Sequence, residues 1–276
     1  MSVLTGIGGA VNAVPGIADW EISVKKDLKA LATSGSKGAM LRVAGNKDWS
    51  GSYRVYLDQP LQLPGDAFSF LGSIDGTSGA AGTAIVDEVQ ITADLEGANP
   101  VVSSVKFSAN GVLTLGANVA TDAVAPSITD ALGIKAAIGT VIATPVWTDI
   151  SDVRKWTLTI KQDSKQYISS TAPGITMRKK GNIDLSFTID AYCADFALVP
   201  QPGDIKCLRL YTTAARYWEI YWAMFGELTG LKVDRETAAL VGATINGSLN
   251  GAAIVAATPT VGHIITPTPA TWWPAA

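Results

Sequence analysis

The chain contains a second copy of part of itself, and this limits what it can fold into more than any other feature. The run from Trp20 to Lys29, WEISVKKDLK, returns from Trp156 to Lys165 as WTLTIKQDSK. Trp20/Trp156, Lys25/Lys161, Asp27/Asp163 and Lys29/Lys165 are identical at a spacing of 136. The same spacing matches Ser34/Ser170, Gly38/Gly174, Arg42/Arg178, Gly45/Gly181, Asn46/Asn182, Asp48/Asp184, Ser50/Ser186 and Tyr56/Tyr192. That makes 12 identities in the 37 positions from Trp20 to Tyr56, where chance would give about two or three. Pro64-Gly-Asp66 then meets Pro202-Gly-Asp204 at a spacing of 138. The spacing is expected to return to 136 for Leu95/Leu231, Val105/Val241, Asn110/Asn246, Gly111/Gly247 and Leu113/Leu249. Two units of about 100 residues follow, 15–116 and 150–252, and they divide the chain into four parts. Residues 1–117 are a first domain with an N-terminal arm, 118–149 a linker or belt, 150–253 a second domain, and 254–276 a C-terminal extension.

Inside each copy the hydrophobic period is two, the pattern of a half-buried strand. Trp20, Ile22 and Val24 alternate with Glu21, Ser23 and Lys25; Ile183, Leu185, Phe187 and Ile189 alternate with Asp184, Ser186 and Thr188. Pro-Gly-Asp marks a turn before strands at 68–71 and 205–211. Segments 85–92 and 217–225 align next as strands, although Tyr217, Tyr221 and Phe225 also fit a helical spacing. Strands over 101–109 and 237–245 lead to Asn110-Gly111 and Asn246-Gly247, and Asn-Gly predicts a tight hairpin turn. Frequent short strands and turns indicate an all-β chain with minor α content, two tandem, internally duplicated β-sandwich or β-barrel domains. The minor helix is expected over 129–138, capped by Thr129 or Asp130, with Leu132, Ala136 and Ala137 on its apolar side.

Composition narrows function by exclusion. Charged residues are 16% and hydrophobic residues 47%, with a net charge of −3. This chain has matter for a core and no basic excess for nucleic acid. No stretch reads as a signal peptide or a transmembrane helix, because Gly, Pro and Asn interrupt every apolar run. Residues 237–276 carry no Asp, Glu, Lys or Arg, so that segment is expected to lie against protein. Two cysteines, Cys193 and Cys207, make no disulfide framework and are expected to be reduced thiols.

Candidate chemistry is sparse. His263 is the only histidine and has no nearby acid, so no general base or metal site is expected. Asp27/Asp163 and Asp48/Asp184 recur, but one per copy, which suits turn or cap roles better than a carboxylate pair. Trp20/Trp156 could stack on a sugar ring, though an alternating strand more often buries such a residue. Arg178-Lys179-Lys180 reads as a solvated loop or a contact for an acidic patch. No catalytic residue, cofactor or metal ligand is expected.

A duplicated β domain without chemistry suggests geometry as its purpose, with two domains standing for two neighbouring subunits of a ring. The sequence of Trp-x-Ile-x-Val-Lys, Pro-Gly-Asp and the strand from Val105 to Leu113 resembles the tail tube (major tail) proteins of tailed bacteriophages. The resemblance implies a virion protein, assembled in the bacterial cytoplasm, whose tandem domains form trimeric rings that imitate hexamers and stack into a tube. It implies other tail proteins as partners: terminator, baseplate or tip, tape measure and sheath. It also implies a negatively charged lumen through which DNA passes without sequence-specific binding. Trp272, Trp273, Ile264, Ile265, Leu132 and Ile134 are the candidate inter-subunit contacts. The competing reading is a tandem β-sandwich that binds carbohydrate or a cell surface; a β-rich hydrolase is the third.

Overall fold

The computed structural model describes residues 2–6, 17–32, 35, 40–57, 62–74, 77–96, 100–117, 130–140, 145–150, 152–168, 170, 174–192, 199–213, 216–232, 242–249, 261–265 and 268–271. The chain is all-β. Copy one supplies β2 (Ile17–Leu31), β3 (Leu41–Val55), β4 (Ala67–Ser73), β5 (Gly79–Asp94) and β6 (Val102–Ala117), preceded by β1 (Ser2–Gly6). The linker supplies β7 (Lys135–Gly139) and β8 (Trp147–Ile150). Copy two supplies β9 (Val153–Ile168), β10 (Thr176–Tyr192), β11 (Ile205–Thr213), β12 (Arg216–Lys232) and β13 (Gly242–Leu249). The tail adds β14 (Val261–Ile265) and β15 (Thr268–Thr271).

All the strands belong to one antiparallel sheet that does not close into a barrel, with main path β1-β2-β3-β6-β5-β9-β10-β13-β12-β11-β7-β8. Within that path copy one reads β2-β3-β6-β5 and copy two reads β9-β10-β13-β12. These are the same four strands in the same order. The seam between them is β5 against β9, from Glu88↔Lys161 to Asp94↔Lys155. One hydrophobic core therefore runs through both copies.

Each copy also folds over itself. The Trp20 indole N–H, on β2, donates to the Ser73 carbonyl at 3.1 Å, across from it on β4. Trp156 on β9 repeats the bond to the Tyr211 carbonyl of β11 at 2.9 Å. Both tryptophans are buried, Trp20 against Phe70 at 5.6 Å between ring centroids. An apolar ring and a satisfied N–H at each site account for the recurrence of Trp. The Pro-Gly-Asp segments turn as expected: Asp66 and Asp204 donate their N–H to the carbonyls of Leu63 and Gln201. Gly65 and Gly203 take φ of 89° and 94°, the value at the third position of a type II turn that excludes side chains.

Four sequence expectations need correction. Residues 135–139 form a strand rather than the end of a helix. β7 pairs with β11 on one side and β8 on the other, burying Ala136 and Ala137 on opposite faces, which no helix of that stretch could do. The Asp130 carboxylate does accept the Leu132 N–H, but it closes only a single turn. Among the described residues there is no α-helix. Neither Asn-Gly pair makes a hairpin. Asn110-Gly111 lies inside β6 and Asn246-Gly247 inside β13. Around Asn110, β6 carries extra residues against β5, which jumps from Gly82↔Leu113 to Ala84↔Ala109.

The spacing between copies does not return to 136. Ser50 pairs with Ser108 while Ser186 pairs with Ser248, and Tyr53 with Val105 while Ile189 pairs with Ile245. β6 and β13 thus correspond at 140 (248 − 108), and Asn110 corresponds to Asn250. The equivalent turns bond to Val86 and Phe225, so β5 and β12 correspond at 139 (225 − 86). Segment 217–225 therefore matches the start of β5 rather than 85–92. A reciprocal exchange supports the assignment: Gly51 opposes Phe107 in copy one, and Phe187 opposes Gly247 in copy two. A Cβ on Gly51 would lie 2.6 Å from the Phe107 ring, and one on Gly247 would lie 2.2 Å from the Phe187 ring. One aromatic ring fills each site, donated from opposite strands. Finally, Asp27 and Asp163 sit at β-bulges opposite Gly45-Asn46 and Gly181-Asn182, rather than in turns.

Candidate functional site

The seam gives the sheet a single polar face that crosses both copies. Because directly paired residues point the same way, the pairings define rows across the strands. Glu21, Ser52, Lys106, Glu88, Lys161 and Asp184 form one row over six strands. Asp19, Arg54, Ser104, Gln90, Thr159, Ser186 and Ser248 form another. The rows between them are buried and apolar, as in Trp20, Tyr53, Val105, Val89, Ile160 and Leu185. Two shallow hollows of about 550 and 880 Å³ open along the polar face, floored by Glu21, Ser52 and Lys106. Such a face offers hydroxyls and paired charges to solvent.

Ion pairs hold the seam on this side. Glu88 bonds Lys106 at 2.8 Å on its own copy and Lys161 at 3.2 Å on the other. Partial burial alone would raise the Glu88 carboxyl, but the two ammonium groups bring it below the ordinary range. Asp94 and Lys155 face each other at 3.4 Å, and Arg154 reaches Glu96 at 3.0 Å. At the upper end of the seam Arg178 on β10 enters copy one. Its guanidinium makes a two-pronged bond to the Asp48 carboxylate at 3.0 and 2.9 Å and donates to the Ala109 carbonyl at 2.6 Å. The Arg178 backbone N–H donates to Asn110 Oδ1. Arg178 is 7% exposed. The repeated Asp48 is therefore a clasp acceptor, also bonded by the Trp49 N–H, and not the turn or cap residue expected from sequence.

The linker strand β7 pairs with β11 of copy two and β8 with β7, while Asp130 bridges to Pro100 of copy one. Arg209 on β11 lies between the rings of Trp147 (β8) and Tyr217 (β12), 3.9 and 4.3 Å from their centroids, and is paired with Glu219 at 2.6 Å. The tail continues copy two: β14 pairs with Arg216–Ile220 of β12, on the side where β13 pairs with the rest of that strand.

Of the six candidate contact residues, Leu132 and Ile134 differ in exposure. Leu132 is 74% exposed in the turn before β7, whereas Ile134 is buried in the chain's own core. Ile264 and Ile265 lie on β14, opposite Tyr217 and Arg216. Trp272 and Trp273 lie outside the described residues, as does Cys193. His263 pairs in the ladder with Trp218. Arg178, Lys179 and Lys180 are on β10 rather than in a loop, and only Arg178 is buried. Cys207 is a free, buried thiol, pushed up to about 11 first by that burial and then by Glu219. Among the described residues no three His, Cys, Asp or Glu side chains gather to hold a metal, and no helix is long and apolar enough to cross a membrane. The residues that the sequence reading missed are Glu88 and Ala109, and it placed Asn110 in a turn instead of at the seam. Their signal was the repeat itself, since Lys25/Lys161, Arg42/Arg178 and Asp48/Asp184 already marked their partners. No protein-family model matches the chain, and no curated protein matches it either.

Proposed function

We propose that the chain is a structural subunit that closes with copies of itself into a ring, and that such rings stack into a tube. In the reading that its sequence resemblance favours, this is the tail tube of a bacteriophage virion, a conduit for DNA. The observation that carries the proposal is the seam. Two copies of one four-strand unit already join edge to edge, head to tail, in one sheet with a continuous polar face. A head-to-tail contact that repeats either closes or runs on as a filament. Three such chains give six equivalent units. A polar face of hydroxyls and paired charges suits the wall of a bore, because Arg54, Lys106 and Lys161 are each engaged by a carboxylate and so hold a passing polyanion weakly. The carbohydrate-binding alternative loses its platform, since Trp20 and Trp156 are buried.

Negative-stain electron microscopy of the purified chain tests the proposal. Rings or stacked tubes with an open bore are expected. Dispersed monomers at high protein concentration would overturn it.

A further inference from the structure

We propose that the surface by which one chain takes up a second copy is the seam written again: β12 of one chain pairs with β2 of the next, Asp184 receives Arg42, Glu227 receives Lys25, and β1 gives up its place. The proposal rests on the ring reading and adds its contact residues and the strand that guards them.

The seam uses the last strand of copy one and the first strand of copy two. Its counterparts are β12 and β2, and they lie at opposite ends of the repeated eight-strand path. Among the described residues, β12 from Glu227 onward pairs on one side only, with β13. The corresponding half of β5 carries β6 on one side and β9 on the other. Transferring the seam at the spacings set by the ladders puts Glu227 (88 + 139) opposite Lys25 (161 − 136). Leu228 then meets Val24, and Thr229 meets Ser23.

Two of the charged pairs survive the transfer. Glu88 and Lys161, bonded at 3.2 Å, become Glu227 and Lys25, a glutamate and a lysine again. Arg178 and Asp48 become Arg42 and Asp184. All four counterparts are exposed and, among the described residues, make no ion pair. Asp184 already accepts the N–H of Leu185, as Asp48 accepts that of Trp49, so its carboxylate is held in the same pose. The other seam pairs, Arg154–Glu96 at 3.0 Å, Asp94–Lys155 at 3.4 Å and Lys180–Asp66 at 3.8 Å, have no charge-complementary counterpart at the transferred positions. An exposed set of complementary charges in a register already realised once in the same chain selects a second copy over an unrelated partner.

The β2 edge is not vacant. β1 pairs with it from Ser2↔Val24 to Gly6↔Trp20. In the seam, β5 meets the equivalent five residues from Val89↔Ile160 to Ala93↔Trp156, in the same direction. β1 thus stands where the neighbour's β12 must go. It covers an edge that would otherwise invite uncontrolled pairing, and it is exchanged when the correct strand arrives.

Sedimentation velocity over a concentration series, with electron microscopy of the same samples, tests this on the full chain. Arg42→Asp and Asp184→Arg are each expected to raise the concentration needed for assembly by about ten-fold or more, and the double variant to restore it to within about three-fold. Unchanged circular dichroism spectra show that each variant folds. Removing residues 2–6 is expected to lower the assembly concentration several-fold. If the unaltered chain forms rings and both single variants do so equally well, this contact is wrong while the ring reading stands. If charge reversal and rescue hold but the products are open chains of subunits without a bore, the contact stands and the ring reading fails. A chain that stays monomeric even without residues 2–6 overturns both. An unchanged or raised assembly concentration after that removal overturns the role given to β1.

Discussion

Arg178 and Arg42 are the same residue in the two copies, yet among the described residues only the Arg178 side chain makes an ion pair, and their removal should have very different consequences. Arg178→Ala takes away two charge-assisted bonds to Asp48 and one to the Ala109 carbonyl. A bond to a charged group contributes roughly 1.5–3 kcal/mol, and a buried carbonyl left without a donor costs about 1–3 kcal/mol. Asp48 keeps 30% of its side chain exposed and retains the Trp49 N–H, so water recovers part of that loss. The expected cost is about 3 kcal/mol. Arg178→Lys keeps the charge but not the fork, and should recover about half of it. Arg42→Ala, on an exposed side chain, should cost under about 0.5 kcal/mol in the dissociated chain. Urea denaturation at a concentration low enough to keep chains apart reads all three as shifts of midpoint at constant slope. An Arg178→Ala cost below about 1 kcal/mol, or equal costs at the two arginines, would refute the view that the seam is clasped at that point.

Three further outcomes follow from other parts of the molecule. Trp20→Phe and Trp156→Phe each remove an indole donor from a buried carbonyl, so each should cost about 1–3 kcal/mol, and the two costs should agree within about 0.5 kcal/mol in urea denaturation. Cys207 should resist iodoacetamide at pH 8 in the folded chain and react once the chain is unfolded, because its thiol is buried and raised to about 11; labelling followed by peptide mass analysis decides it. Glu88 has a lowered carboxyl in the folded chain, so its contribution is present above the unfolded value of about 4.3 and is lost as pH falls through the folded one. Glu88→Gln should therefore destabilise the chain at pH 7 and make little difference at about pH 2.

The sequence shows the first half of each copy clearly and the second half poorly, for a physical reason. β2/β3 and β9/β10 keep the same ladder and the same two bulges, so Trp20, Lys25, Asp27, Gly45 and Asn46 recur without a gap. Copy two then gains residues between strands, to a spacing of 140 by β13. Asn-Gly occurs at both 246 and 250, so the nearer pair offered a false match to Asn110-Gly111. Inside long strands, Asn-Gly needs no turn, and bulges absorb the extra residues. Residues 129–138 misled because Ala-rich spacing fits a helix, whereas the stretch is held by edges contributed from β11 and β8, far along the chain. The seam was least legible of all: β5 and β9 share no local motif, and only the three-dimensional pairing shows why Lys161, Arg178 and Asp48 recur.

In the proposed assembly the sheet runs on from chain to chain with its polar rows facing a bore. Cryo-electron microscopy of assembled particles at strand resolution tests it most directly. A ring of six equivalent four-strand units made by three chains is expected, with the row of Glu21, Ser52, Lys106, Glu88, Lys161 and Asp184 lining the lumen. A particle in which the sheets of neighbouring chains do not pair, or in which that row faces outward, would contradict it.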